Sequence, residues 1–140
     1  MPSPAALFAT IILLLPMGYF LLQAPAFLLV KLEHPTVTRL LRGMFSVYFI
    51  VLAIAGMIGT MAFIVDSRFS LALAVGLIAT FAVLARRWFL RRMDIELGAR
   101  DAGDPDAPRR LRRLHWGGML CNAVQFAIVV ASFPYVTVAA

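Results

Sequence analysis

The sequence predicts an all-α, membrane-embedded four-helix bundle with its N-terminus and C-terminus on the outer side of the membrane. Three observations carry that reading. Hydrophobic residues fill 62% of the 140 positions and charged residues only 14%, whereas a soluble domain needs roughly a quarter of its residues charged to cover its surface. The few charges are clustered, which leaves four long uncharged runs. Nearly all the basic residues then fall into two of the three connections between those runs. A secreted disulfide scaffold is excluded, because Cys121 is the only cysteine.

A helix rises about 1.5 Å per residue and the hydrocarbon core is about 30 Å thick, so one crossing takes about 20 apolar residues. The first uncharged run, residues 2–30, predicts a transmembrane helix over about 5–30. It lacks a basic start and outruns a signal-peptide core of about 7 to 15 residues, so it is expected to be retained. Pro2 and Pro4 suit a first helical turn, while Pro16 and Pro25 lie inside the run and each should bend it. The carbonyls freed at those kinks need donors, so the kinks should face protein rather than lipid.

The second run, residues 43–65, predicts helix two. Glu33-His34-Pro35-Thr36 before it should break the chain, with Arg39, Leu40 and Leu41 at the interface and Gly43 starting the helix. Asp66-Ser67-Arg68 is short enough to force an antiparallel hairpin onto helix three. That third run, residues 69–85, extends to about 90 if Arg86 and Arg87 snorkel, and Arg91 to Glu96 can continue the helix into the cytoplasm. A mobile cytoplasmic loop is expected over about 98–108, where Gly103-Asp104-Pro105-Asp106-Ala107-Pro108 is rich in turn formers. The last run predicts helix four over about 115–138. All 140 residues form one membrane domain.

Orientation follows from the Lys and Arg count. Lys31, Arg39 and Arg42 precede helix two, and Arg86, Arg87, Arg91, Arg92, Arg100, Arg109, Arg110, Arg112 and Arg113 lie between helices three and four; Arg68 alone lies opposite. Both basic connections are therefore expected in the cytoplasm of a bacterium whose inner membrane holds the chain. Arg86, Arg87, Arg91, Arg92, Arg109, Arg110, Arg112 and Arg113 are expected contacts for anionic lipid headgroups. The pI of about 10.7 does not argue for nucleic acid, since these residues flank helix ends instead of forming a basic face with stacking aromatics.

Lipid is as apolar as leucine, so helices associate through small residues and polar contacts. Ala55 with Gly59, Gly56 with Thr60, Ala72 with Gly76 and Thr80, Gly117 with Cys121, and Gly118 with Asn122 all recur at four-residue spacing. Gln23, Asn122 and Gln125 are the amides within the runs. Gln23 and Asn122 sit at matching depth, about 10 to 12 Å from the cytoplasmic ends, which predicts that Gln23 meets Asn122 or Gln125. His115, Met119, Asn122 and Phe126 share one helical face and form the candidate polar site. His34 lies at the same level as His115, and the pair is a candidate for metal or haem. Cys121 has no histidine on its face, and Asp66 beside Arg68 suits a helix cap better than a proton site. No catalytic constellation emerges.

Arg113-Leu114-His115-Trp116-Gly117-Gly118-Met119-Leu120-Cys121-Asn122-Ala123-Val124-Gln125 resembles the last-helix motif of the transmembrane protein 205-like family, a domain of unknown function, with its Leu-His and then Ser, Met and Asn at helical spacing. Met17-Gly18-Tyr19-Phe20, Ala24-Pro25-Ala26-Phe27 and Gly43-Met44-Phe45 with Tyr48-Phe49 are similar to the family's helix-one and helix-two elements. Gly118 stands where many members carry serine. The resemblance implies a four-helix integral membrane protein and names no reaction. A fainter likeness to J-type protoporphyrinogen oxidases, around Arg86-Arg87-Trp88-Phe89, lacks their N-terminal histidine. The leading expectation is a non-enzymatic accessory or interaction component whose partners are the bilayer, anionic headgroups and other membrane subunits or copies of itself. The alternatives are a haem-, metal- or quinone-associated redox protein using His34 and His115, or a small transporter using the breaks at Pro16 and Pro25.

Overall fold

The computed structural model describes residues 3–138, so Pro2 and the two terminal alanines lie outside the described residues. Four helices follow one another: α1 (Pro4–Gln23), α2 (Pro35–Val65), α3 (Phe69–Asp101) and α4 (Ala107–Thr137), with a 3-10 helix (Ala24–Leu29) between α1 and α2. Each of the four is long and apolar enough to cross a membrane. No strand occurs among the described residues.

Local chemistry sets the ends. Ser3 caps α1 by accepting the Ala6 N–H at 3.1 Å, and Pro4 occupies the first turn, where its missing N–H costs nothing. Pro25 has no N–H to continue the α-helical ladder, and the chain tightens there into the 3-10 helix. His34 precedes Pro35 and is extended, as a residue before proline must be. At the end of α2, Ser67 takes the left-handed φ of 58° while the Arg68 N–H reaches back to the Phe63 carbonyl at 2.9 Å. The same six-to-one closure ends α3, with Gly103 at φ 89° and the Asp104 N–H on the Ala99 carbonyl at 3.0 Å.

The helices run past the apolar runs that mark the crossings. α2 begins at Pro35 rather than at Gly43, and α4 begins at Ala107 rather than near His115. Charge limits how much of a helix lipid accepts, but Arg and Leu are good helix formers and the helix goes on in water. The stretch 98–108 is accordingly mostly helical, and the connection narrows to residues 102–106. There the Asp106 N–H donates to the Asp104 carboxylate at 2.9 Å.

The helices form a ring in which α2 packs most extensively on α3, α1 lies against both α2 and α4, and α3 meets α4 most thinly. Small residues let α2 and α3 close together: Gly56 faces Ala79, Gly59 faces Val75, and Gly76 faces Thr60. Toward the connections, Phe20, Phe45, Tyr48, Phe49 and Phe89 interlock, with Phe20 and Tyr48 ring centroids 4.2 Å apart and Phe45 and Phe89 4.6 Å apart. Such ring contacts contribute about 0.5 to 1.5 kcal/mol each beyond area burial. The outside is apolar as well: Leu15, Leu22, Val47, Leu73, Leu77, Leu120 and Ile128 are all exposed, an arrangement suited to acyl chains and not to water.

Candidate functional site

The candidate polar site lies where α1, α2 and α4 converge. Asn122 is 2% exposed and His115 1%, so both need an account of their hydrogen bonds. Asn122 has one. Its carbonyl oxygen accepts from the Tyr48 hydroxyl and its amide nitrogen donates to the Met17 carbonyl at 3.0 Å, tying three helices through one side chain. His115 has none: its ring stands edge-on to Phe27 and Phe45, and both nitrogens lack a hydrogen-bond partner.

Gln23 does not join them. It is exposed and donates to the Tyr19 hydroxyl one turn earlier, so the expected pairing with Asn122 or Gln125 is replaced by a local contact. Depth alone does not bring two residues together; their angular positions on the helices must also match, and Tyr48 occupies the place opposite Asn122. Gln125 and Met119 are half-buried, and Gln125 faces the space between α3 and α4. Tyr48 is the member that sequence reasoning missed. Its signal was a hydroxyl within an uncharged run, since a buried tyrosine seeks a partner for its O–H.

His34 is exposed at the start of α2, while His115 is enclosed by Phe27 and Phe45. Among the described residues no three His, Cys, Asp or Glu side chains gather closely enough to hold a metal ion. Pro16 is half-buried beside α2, and α1 stays α-helical through it. Pro25 is exposed rather than facing protein. Arg112 donates beyond it, to the Phe27 carbonyl at 2.5 Å and the Val30 carbonyl at 2.6 Å.

Arginines fasten the other junctions at the same end. Arg42 grips Asp94 with two bonds of 2.5 and 2.8 Å between α2 and α3, and Arg100 donates to the buried Thr38 at 2.6 Å. Arg110 joins Glu96 and Asp104, both at 2.6 Å, and its hydrogen bond holds the Asp104 carboxyl below the usual carboxylate range. Arg86 donates to Ser46 at 3.1 Å while its buried Nε stays without a partner. Arg86, Arg110 and Arg112 therefore have partners within the protein. Arg109 stands 4.0 Å from Asp106, and Arg87, Arg91, Arg92 and Arg113 are exposed with no hydrogen bond or ion pair among the described residues.

Two grooves open on the outside of the ring. One, of about 1190 Å³, runs between α1 and α2 past Pro16, Tyr19, Gln23 and Arg39. The other, of about 810 Å³, lies along the thin contact between α3 and α4, from Arg92 and Arg113 past Trp88 and Gly117 to Gln125. Searches of protein-family models, of curated proteins and of solved structures each return no match for this chain.

The unequal satisfaction of the two buried polar residues gives an expected result. Asn122→Leu destabilises the bundle by about 0.6 to 1.7 kcal/mol, the range for interhelical hydrogen bonds in membranes, whereas His115→Leu is near neutral because no hydrogen bond is lost. Reversible unfolding in mixed detergent micelles measures both. A cycle with Tyr48→Phe should show coupling to Asn122.

Proposed function

We propose that the chain is a multi-pass protein of the bacterial inner membrane that acts as a non-enzymatic accessory or interaction component, related to the transmembrane protein 205-like family. Four membrane-compatible helices form the base of that reading. The observation that carries it further is the use of Asn122: both polar atoms of this buried amide are engaged within the protein, the oxygen by Tyr48 and the nitrogen by Met17, so it serves the bundle. Its family placement rests on the helix-four motif from Arg113 to Gln125.

Isolation in mild detergent followed by mass spectrometry tests the accessory role. A stoichiometric membrane-protein partner, or a defined homo-oligomer, is the expected result; a clean monomer with no partner counts heavily against it. The orientation proposed places the connections at residues 30–34 and 102–106 in the cytoplasm. Ala140→Cys in a Cys121→Ala background should then react with an impermeant maleimide applied to intact cells. Reaction only after lysis reverses the orientation.

A small transporter is the second reading, favoured by the groove that takes in Pro16 and Gln23. Gln23→Cys reacting with a water-soluble maleimide in the intact membrane supports it.

A further inference from the structure

The groove between α3 and α4 combines three properties. Its walls are apolar, built from Phe81, Leu84, Trp88, Leu114 and Gly117. It runs along α4 from Arg113 to Gln125, 12 residues or about 18 Å at about 1.5 Å per residue, close to one leaflet's share of a hydrocarbon core about 30 Å thick. Two unpaired cations stand at one end. Arg92 and Arg113 line the groove, and neither donates to any group among the described residues. Arg110, the third arginine there, is already paired with two carboxylates, Glu96 in the groove lining and Asp104.

We propose that this groove binds one anionic glycerophospholipid, its phosphate between Arg92 and Arg113 and one acyl chain along Trp88 and Gly117 toward Gln125. Charge complementarity selects the occupant. A zwitterionic lipid brings its own cation to the mouth, whereas an anionic one brings the charge that the two guanidinium groups lack, and arginine matches phosphate oxygens with a fork of donors. A separate arrangement keeps the site open: a side chain at Gly117 would meet nothing within 4 Å, so the groove owes part of its width to that missing side chain. The inference rests on the chain spanning the bilayer and is independent of its accessory role.

Trp88 lies in the groove and Trp116 does not, which gives a reporter and a control. Single-tryptophan variants, Trp116→Phe to report on Trp88 and Trp88→Phe to report on Trp116, are reconstituted into phosphatidylcholine vesicles. The vesicles contain brominated phosphatidylglycerol or, separately, brominated phosphatidylcholine. Trp88 should be quenched as though phosphatidylglycerol were enriched beside it, by about five-fold for each arginine engaged, with Trp116 quenched equally by the two lipids. Arg92→Gln with Arg113→Gln should abolish the preference at Trp88. Gly117→Leu should reduce quenching of Trp88 by either lipid while the protein remains folded. Equal quenching of Trp88 by the two lipids overturns the proposal. So does an equal preference at Trp116, which would show diffuse attraction to a basic helix end, or a preference that survives the double arginine substitution. A lipid preference and the presence of protein partners are read by separate measurements, so either reading can fail alone.

Discussion

Gly56→Leu should cost about 3 kcal/mol or more, at the upper end of what overpacking does to a well-packed interior, and leave little monodisperse protein after extraction in mild detergent. A Cβ placed on Gly56 would lie 2.7 Å from the Cβ of Ala79 and 3.1 Å from its Cα. The obstacle is backbone, which cannot swing aside, so the two helices must separate along their whole contact. That contact is the most extensive in the ring, and Gly59 against Val75 and Gly76 against Thr60 depend on the same spacing. In lipid no hydrophobic force restores the helices once close packing is lost. Gly43→Ala provides the comparison: nothing lies within 4 Å of its added Cβ, and the gain in helix propensity of up to about 1 kcal/mol makes it neutral or stabilising. If Gly56→Leu unfolds no more readily than Gly43→Ala, the tight α2–α3 contact is not what holds this pair.

Gly118→Ala should cost about 2 to 3 kcal/mol by the same overpacking mechanism, through a ring instead of a backbone. The new Cβ would stand 2.4 and 2.8 Å from two atoms of the Phe45 ring and 3.0 Å from Phe89. Phe45 is fully buried and hemmed by Phe20, Phe49, Phe89 and His115, so rotating it disturbs four neighbours. Near-UV circular dichroism should register the loss of order among these rings before the helices melt. Phe45→Leu opens room at the same spot, so the double variant should be more stable than the sum of the two single losses. Strict additivity would mean that Phe45 and Gly118 do not compete for the space. The same geometry accounts for glycine at position 118: Phe45 fills the volume a side chain would take.

The four long apolar helices were legible because hydropathy and charge are properties of the chain itself, and each uncharged run has the length that a hydrocarbon core requires. Where each helix ends was less legible. Arg39 and Arg42 mark the edge of the apolar run before Gly43, yet α2 begins at Pro35, because a charge that leaves the membrane does not leave the helix. The candidate site divides in the same way. Asn122 was visible as an amide in an apolar run, but its partners come from the angular facing of α1 and α2, which no spacing within α4 encodes; Tyr48 took the place expected for Gln23. The arginines present a third case. As a count they carry only an expected orientation, and three-dimensional contact alone distinguishes Arg112, which holds the carbonyls of Phe27 in the 3-10 helix and of Val30 just after it, from Arg113 one residue later, which stands free at the groove.

Arg68 is the basic residue at the end opposite all the others, and two of its guanidinium nitrogens close on the carbonyls of Tyr135 and Val136. Those carbonyls belong to the last turn of the last helix, while Arg68 sits in the turn between the second and third. In chain order this side chain precedes its acceptors by 67 and 68 residues. Nearby, Ser3 waits for the Asp66 carboxylate, to which it donates at 2.6 Å. One connection at this end joins the cap of α1 to the α2–α3 turn, and the other joins that turn to the last turn of α4. The turn between α2 and α3 is thereby tied to the last turn of α4, and removing Tyr135 and Val136 would take both carbonyl acceptors from the Arg68 guanidinium.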